Sequence, residues 1–329
     1  MLQITIACWD YDRVRAIIDG RVQIEGCDIN FLPMGPEECF FRAYINKEFD
    51  VSEIGFCPYI TAQSAGGTPY IAIPAFVSRT FRHSAIYIRT DRGIKTPADL
   101  KGKRIGVPEY QMSASMWARG MLKDEYGVDY TTVKWFQGGL EQPGREDKFQ
   151  LLHLPKDFPL FPIPTGKTLA SMLGECELDA ILSARAPSCF RDGHPMVRRL
   201  FEDYAEAERA YFKRAGIFPI MHAVGIRRDV NERHPWLASA VYKAFIAAKA
   251  IAQAELDEVG ALKVMLPWVT SEAQKTRALM GNDFWPYGIE ENRKTLETMV
   301  RYCHEQGLMA QLMPIEHLFA PSTVRLPKV

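Results

Sequence analysis

The seven cysteines of this chain (Cys8, Cys27, Cys39, Cys57, Cys176, Cys189 and Cys303) stand singly, with no CxxC pair and no Cys/His cluster. That scatter argues against a disulfide framework and against a structural zinc site, and fits buried thiols in a reducing compartment. Net charge is missing too, since 40 basic residues balance 40 acidic ones. With no global positive field, the chain has no general attraction for nucleic acid or for an anionic membrane. Affinity for an anion must then come from local placement. No apolar run approaches the roughly 20 residues of a membrane span, and no internal repeat or low-complexity tract is present. The chain opens on MLQITIACWD, an alternating strand pattern with no basic or apolar export region before it, so the cytoplasm is the expected compartment.

What is there is an ordinary globular composition, 47% apolar and 24% charged, over 329 residues. That length exceeds the roughly 250–300 residues at which one core splits, which predicts two lobes. Strand patterns at Leu2 to Cys8, Gln23 to Leu32, Val51 to Gly55, Tyr70 to Val77 and Ala85 to Arg89 alternate with helical spacing, as at Pro36 to Asn46 and Pro58 to Ala65. Such alternation predicts an α/β lobe with a largely parallel sheet. A long helix begins after His234-Pro235 and carries an apolar stripe, and the remainder from Leu262 is expected to be helical. Gly138 to Pro164, rich in Pro, Gly and charge, reads as a loop or β-excursion over a cleft.

The most informative stretch is Thr96 to Trp117, TPADLKGKRIGVPEYQMSASMW. Thr96 caps a first turn with Pro97 at its first position and Asp99 near the positive dipole end. A turn at Lys101 to Lys103 leads into the short strand Arg104 to Val107, and a new helix opens over Gln111 to Ser115. Free amides at such a start are a ready-made anion site. This order resembles the start of the second lobe of type II periplasmic-binding-protein folds. The resemblance implies two mostly parallel sheets flanked by helices, with a ligand cleft between them. Lobe 1 would comprise residues 1–89 and 230–329, lobe 2 residues 90–229, with hinge strands near 84–89 and 220–226.

Phe49 to Ile54, Lys103 to Trp117, Gly120 to Gly127, Gly216 to Asp229 (GIFPIMHAVGIRRD), Glu291 to Leu296 and Glu305 to Leu308 together resemble the 4,5-dihydroxyphthalate decarboxylase family. The resemblance runs over nearly the whole chain. It implies loss of CO2 from an aromatic ortho-dicarboxylate bearing two hydroxyls, giving protocatechuate, without an organic cofactor. A non-catalytic solute-binding protein for an aromatic acid, or another small-molecule lyase on the same fold, are the competing readings. The expected partner is a small aromatic dicarboxylate, with neither nucleic acid nor membrane, and a homo-oligomer stays open.

Such chemistry needs a carboxylate clamp, a proton donor and shelter from water. Arg82 and His83 precede the presumed crossing strand: Arg82 would hold a carboxylate bidentately, and His83 is either a site residue or a hinge-packing one. His222, in an apolar strand, serves either proton transfer or core packing. Ser52 and Glu53 end a short strand and are expected to point toward the cleft, Ser52 as a substrate-binding residue. Glu53 is either a general acid with a burial-raised pKa or a helix cap. Ser113 and its amides would bind a second carboxylate or a hydroxyl, and Arg185 would clamp a carboxylate. Glu109 and Tyr110 flank the cleft entrance, and Asp10 and Tyr11 are weaker candidates. Trp9, Trp117 and Phe81 either stack on the ring or belong to the core. His83, His222 and Glu53 would make a two-histidine, one-carboxylate metal site, but no local ligand spacing supports one, so no metal is expected.

Overall fold

The computed structural model describes residues 1–145 and 153–324. Part of the expected excursion over Gly138 to Pro164 therefore lies outside the described residues. Among those described, eleven strands follow one another along the chain. The first five are β1 (Leu2–Cys8), β2 (Cys27–Pro33), β3 (Val51–Gly55), β4 (Tyr70–Arg79) and β5 (Ile86–Arg89). Then come β6 (Arg104–Val107), β7 (Lys134–Gln137), β8 (Leu160–Pro162), β9 (Ala180–Leu182), β10 (Val197–Arg199) and β11 (Ile220–Arg227).

They form two sheets, ordered β2-β1-β3-β11-β4 and β10-β5-β9-β6-β7-β8. In each, one strand runs against the rest: β11 is antiparallel to β3 and β4, and β5 is antiparallel to β9 and β10. The remaining neighbours pair in parallel. Parallel strands need helices on both faces, and β3 is buried at all five residues accordingly. The two lobes of the α/β architecture are thus sheets with one reversed strand each. The chain leaves the first sheet after Arg79 and joins the second at Ile86, so it crosses at 80–85. It returns through 200–219, which hold the Tyr204–Ala215 helix. The strands expected as hinges each lie within one sheet.

β4 is an edge strand, which is why Pro74 fits in it. Its free edge is covered from the carboxy-terminal part: Gly288 N–H donates to Pro74 O (2.9 Å) and Ala320 N–H to Ala72 O (2.8 Å). That part is less helical than its sequence suggested. Between the Leu237–Glu255 and Val269–Met280 helices, residues 256–268 form no helix, punctuated by Gly260 and Pro267. The Arg293–Glu305 helix packs on both the Phe56–Ser64 helix and the Ser113–Tyr126 helix, so it touches both lobes. Gly120 permits the second contact, because a Cβ there would stand 2.2 Å from the Tyr302 ring.

The Thr96 stretch folds as a 3-10 turn, Pro97–Leu100, with Thr96 and Asp99 forming a capping box, followed by β6 and the Ser113–Tyr126 helix. Two side chains of that helix dock on β11. Ser113 Oγ donates to Met221 O (3.0 Å) and Trp117 Nε1 donates to Ile220 O (2.8 Å). Ser113 Oγ also accepts from the Cys57 amide (3.0 Å). These uncharged bonds form the floor of the cleft.

Candidate active site

A cavity of about 610 Å³ opens between the sheets, reached by Gly55 at the end of β3, Pro108 after β6 and Ser183 after β9. Carboxyl ends of parallel strands are where α/β folds place their ligands. Arg82, Glu109, Ser113, Arg185 and His222 line this cavity, whereas Glu53, Ser52 and His83 do not.

His222 is turned into the cavity by an irregularity in β11. Its pairing with β4 shifts register on both sides of His222, the signature of a bulge that re-aims a side chain. The imidazole meets the edge of Phe40 (ring centroids 4.8 Å apart), a cavity residue the sequence did not single out. Behind it, Nδ1 lies 2.6 Å from Glu53 Oε1. Glu53 is fully buried and also accepts from Trp9 N–H (2.9 Å) and Tyr11 Oη (2.7 Å), with the Cys8 thiol at 3.5 Å. Burial pushes its carboxyl up, but His222 and the other donors outweigh it and hold it below the ordinary range. An ionised carboxylate accepts hydrogen bonds only, so Nδ1 carries the proton and Nε2 is the nitrogen left to the cavity. The burial-raised pKa expected if Glu53 were a general acid is not found: hydrogen bonds from His222, Trp9 N–H and Tyr11 Oη hold the carboxyl down. Ser52 turns away as well, donating to Glu53 O (2.9 Å) and lying against the Cys39 thiol.

Arg82 is 9% exposed and has no carboxylate within ion-pair distance among the described residues. Among the described residues its side chain reaches Met221, with Nε 3.2 Å from Sδ. Burial brings the guanidinium down to about 10, against the opposing pull of Glu208. A buried cation left without a partner costs free energy unless something else supplies the counter-charge. Near it the Ser113–Tyr126 helix starts without a side-chain cap, and Met112, Ser113 and Ala114 all line the cavity. The Ser113 hydroxyl itself is committed to the cleft floor, so the amides rather than Oγ are what this helix start offers a ligand.

Glu37, which the sequence did not single out, stands at the mouth. From the first lobe it faces Arg185 (3.8 Å) and Arg145 (3.5 Å) of the second. Arg145 Nε also donates to Glu109 (2.8 Å). Burial opposes the Arg145 charge, but Glu109 and Glu37 more than compensate and raise its pKa. Arg185, with a side chain 70% exposed, is a mouth residue rather than a deep clamp. No local signal marks Glu37 or Arg145. Only the approach of the two lobes reveals them.

His83 sits apart in a box of Tyr126, Phe201 and Tyr211 rings, with both ring nitrogens buried and unpartnered. Adjacent to Arg82 in sequence, it starts a 3-10 turn and points the other way. The set of His83, His222 and Glu53 is thereby broken up, and no group of three His, Cys, Asp or Glu among the described residues is placed to hold a metal. Burial, then the Arg214 charge, brings the His83 imidazole down to about 4. Because an unfolded histidine titrates near 6.5, the unfolded chain binds the extra proton between those values. Stability should then be full above that window and fall as pH drops through it. A His83→Phe variant should show a flatter melting temperature between about pH 6.5 and 4, and curves parallel to wild type would refute this. Trp117 and Phe81 belong to packing, on Ile220 O and on Phe218, and Trp9 is 45% exposed outside the cavity.

Comparison with known proteins bears on the fold and the family. Residues 10–142 match the model for periplasmic phosphonate substrate-binding proteins of ABC transporters. The chain is similar in fold to the aliphatic sulphonate binding protein SsuA of Escherichia coli (TM-score 0.53, 14% identity, 98% of this chain and 99% of that one). It is similar also to a Candida albicans protein with the generic periplasmic-binding-protein fold (TM-score 0.50, 13% identity, 96% and 93% covered). A 4,5-dihydroxyphthalate decarboxylase of Comamonas testosteroni is 44% identical over 328 residues, covering 100% of this chain and 99% of the relative. One from Pseudomonas putida is 46% identical over 212 residues, 64% of this chain and 82% of the relative. With full-length identity at this level, the chain belongs to the 4,5-dihydroxyphthalate decarboxylase family.

Proposed function

We propose that this protein is a carboxy-lyase that removes one carboxylate from 4,5-dihydroxyphthalate, releasing CO2 and leaving protocatechuate. One observation carries the reading. A buried guanidinium with no carboxylate at ion-pair distance among the described residues, Arg82, shares a cavity with a histidine hydrogen-bonded to a buried carboxylate.

Each carboxylate of the substrate is para to a hydroxyl. Electron density released from that oxygen reaches the ring carbon bearing the carboxylate, which takes up a proton. The C–C bond then breaks, CO2 departs, and the bonding pair restores the aromatic ring. Each CO2 released thus costs one proton: His222, as the imidazolium with a second proton taken up from solvent at Nε2, delivers it to the ring carbon and keeps its Nδ1 proton on Glu53. Arg82 holds a carboxylate, and the uncapped helix start at Ser113 holds a second anionic oxygen. Phe40, Met112 and Met221 supply the apolar flanks that exclude water. The ring itself accepts the electron pair, so this mechanism calls for no organic cofactor. Seven unpaired cysteines support a reducing compartment, which we take to be the cytoplasm.

The test is to incubate purified protein with 4,5-dihydroxyphthalate and follow protocatechuate by chromatography, with and without chelator. Stoichiometric product insensitive to chelation is expected. Tight binding without turnover would make the chain a solute-binding protein, as its family-model match allows. Activity abolished by chelation and restored by a divalent ion would overturn the metal-free mechanism.

A further inference from the structure

We infer that Tyr11 is a positioning residue: it competes with His222 for one oxygen of Glu53 and so sets how readily His222 gives up its proton. This rests on the reading of His222 as the proton donor. The phenol oxygen lies 2.7 Å from Glu53 Oε1, the same atom that stands 2.6 Å from His222 Nδ1. Two donors therefore converge on one carboxylate oxygen in a site without solvent. Negative charge drawn toward the Tyr11 hydroxyl is not available to the imidazolium. The weaker the hold of Glu53 on the imidazolium, the better an acid His222 becomes.

The phenol is not free to swing away. Tyr11 immediately precedes the Asp12–Ile18 helix, and its amide donates to Trp9 O (2.9 Å). The Arg13 guanidinium lies 4.1 Å from the Tyr11 ring centroid and 4.1 Å from that of Trp285, while Arg13 Nε donates to Val77 O (2.7 Å). Cation–π contact on both faces of the guanidinium clamps the ring in place. The chain thus maintains a fixed, partly buried tyrosine whose hydroxyl serves a carboxylate beneath the cavity.

The other titratable and charged groups around the pair are the Cys8 thiol on Glu53 Oε2, the Cys39 thiol behind Ser52, and Arg13. Across the cavity stand Arg82, Glu37, Glu109, Arg145 and Arg185. The Tyr11→Phe variant changes none of these and keeps the ring that Arg13 stacks on, so the hydroxyl alone is lost, with its contacts to Glu53 and Ser78.

Two measurements on full-length Tyr11→Phe test the inference. In decarboxylation assays, kcat on the low-pH plateau should fall by about two- to threefold with KM unchanged, and the limb of the pH–kcat profile set by His222 should move upward by about half a unit to one unit. In ligand-free protein with 15N-labelled histidine, the His222 titration followed by NMR should move upward by the same amount. An unchanged His222 titration in a folded variant would overturn the role of Tyr11, whatever the activity. A shifted titration with an unshifted pH–kcat limb would instead show that His222 is not the proton donor, leaving Tyr11 as its modulator.

Discussion

His222→Ala should lower kcat for decarboxylation by roughly 10²- to 10⁴-fold, the usual worth of a positioned proton donor, while KM changes little. The argument rests on three links. A bulge in β11 turns the imidazole into the cavity, Glu53 fixes which nitrogen carries the proton toward the protein, and Nε2 is left for the substrate. Glu53 keeps Trp9 N–H and Tyr11 Oη as donors after the substitution, so the buried carboxylate is not orphaned and the variant should fold. Steady-state kinetics beside a thermal melt separates chemistry from stability. Activity within twofold of wild type would reduce His222 to a packing residue.

Arg82→Met should act in opposite directions on binding and on stability. Removing a charge-assisted carboxylate clamp costs roughly 2–5 kcal/mol, so KM should rise by about 30-fold or more. The same substitution replaces a buried guanidinium that lacks an ion-pair partner among the described residues by an apolar side chain of similar length. The ligand-free fold should therefore melt several degrees higher. Thermal melts without substrate, set beside KM, read both effects. A variant that melts lower and binds normally would mean that Arg82 is structural, its charge balanced from Glu208.

Much of the scaffold could be read from local pattern. Leu2 to Cys8 and Val51 to Gly55 alternate or bury as strands do, and both are strands at those bounds. The Thr96 capping box and the helix opening at Ser113 follow from short-range chemistry that any chain would obey. His222 stood out because a polar residue in an apolar strand requires a reason. Its partner is 169 positions away, and no spacing rule joins β3 to β11. For Glu53 the sequence leaves a general acid and a helix cap open, because the donors that hold its carboxyl down come from Trp9, Tyr11 and His222, which no local pattern joins to it. His83 was misplaced by adjacency. Next to Arg82 in sequence, it faces an aromatic box once a 3-10 turn separates the two directions. Glu37 and Arg145 acquire meaning only when two lobes meet.

The two ends of the cleft are joined by unlike materials. At the floor, Ser113 and Trp117 tie the second lobe to the β11 backbone through buried, uncharged hydrogen bonds that dissolved ions do not screen. At the mouth, Glu37 reaches Arg145 and Arg185 through long, partly hydrated ion pairs. Dissolved salt therefore weakens the mouth contacts while leaving those of the floor unchanged. His222 follows Met221 directly, so it sits beside the salt-insensitive end of the cleft rather than at the ion-paired mouth.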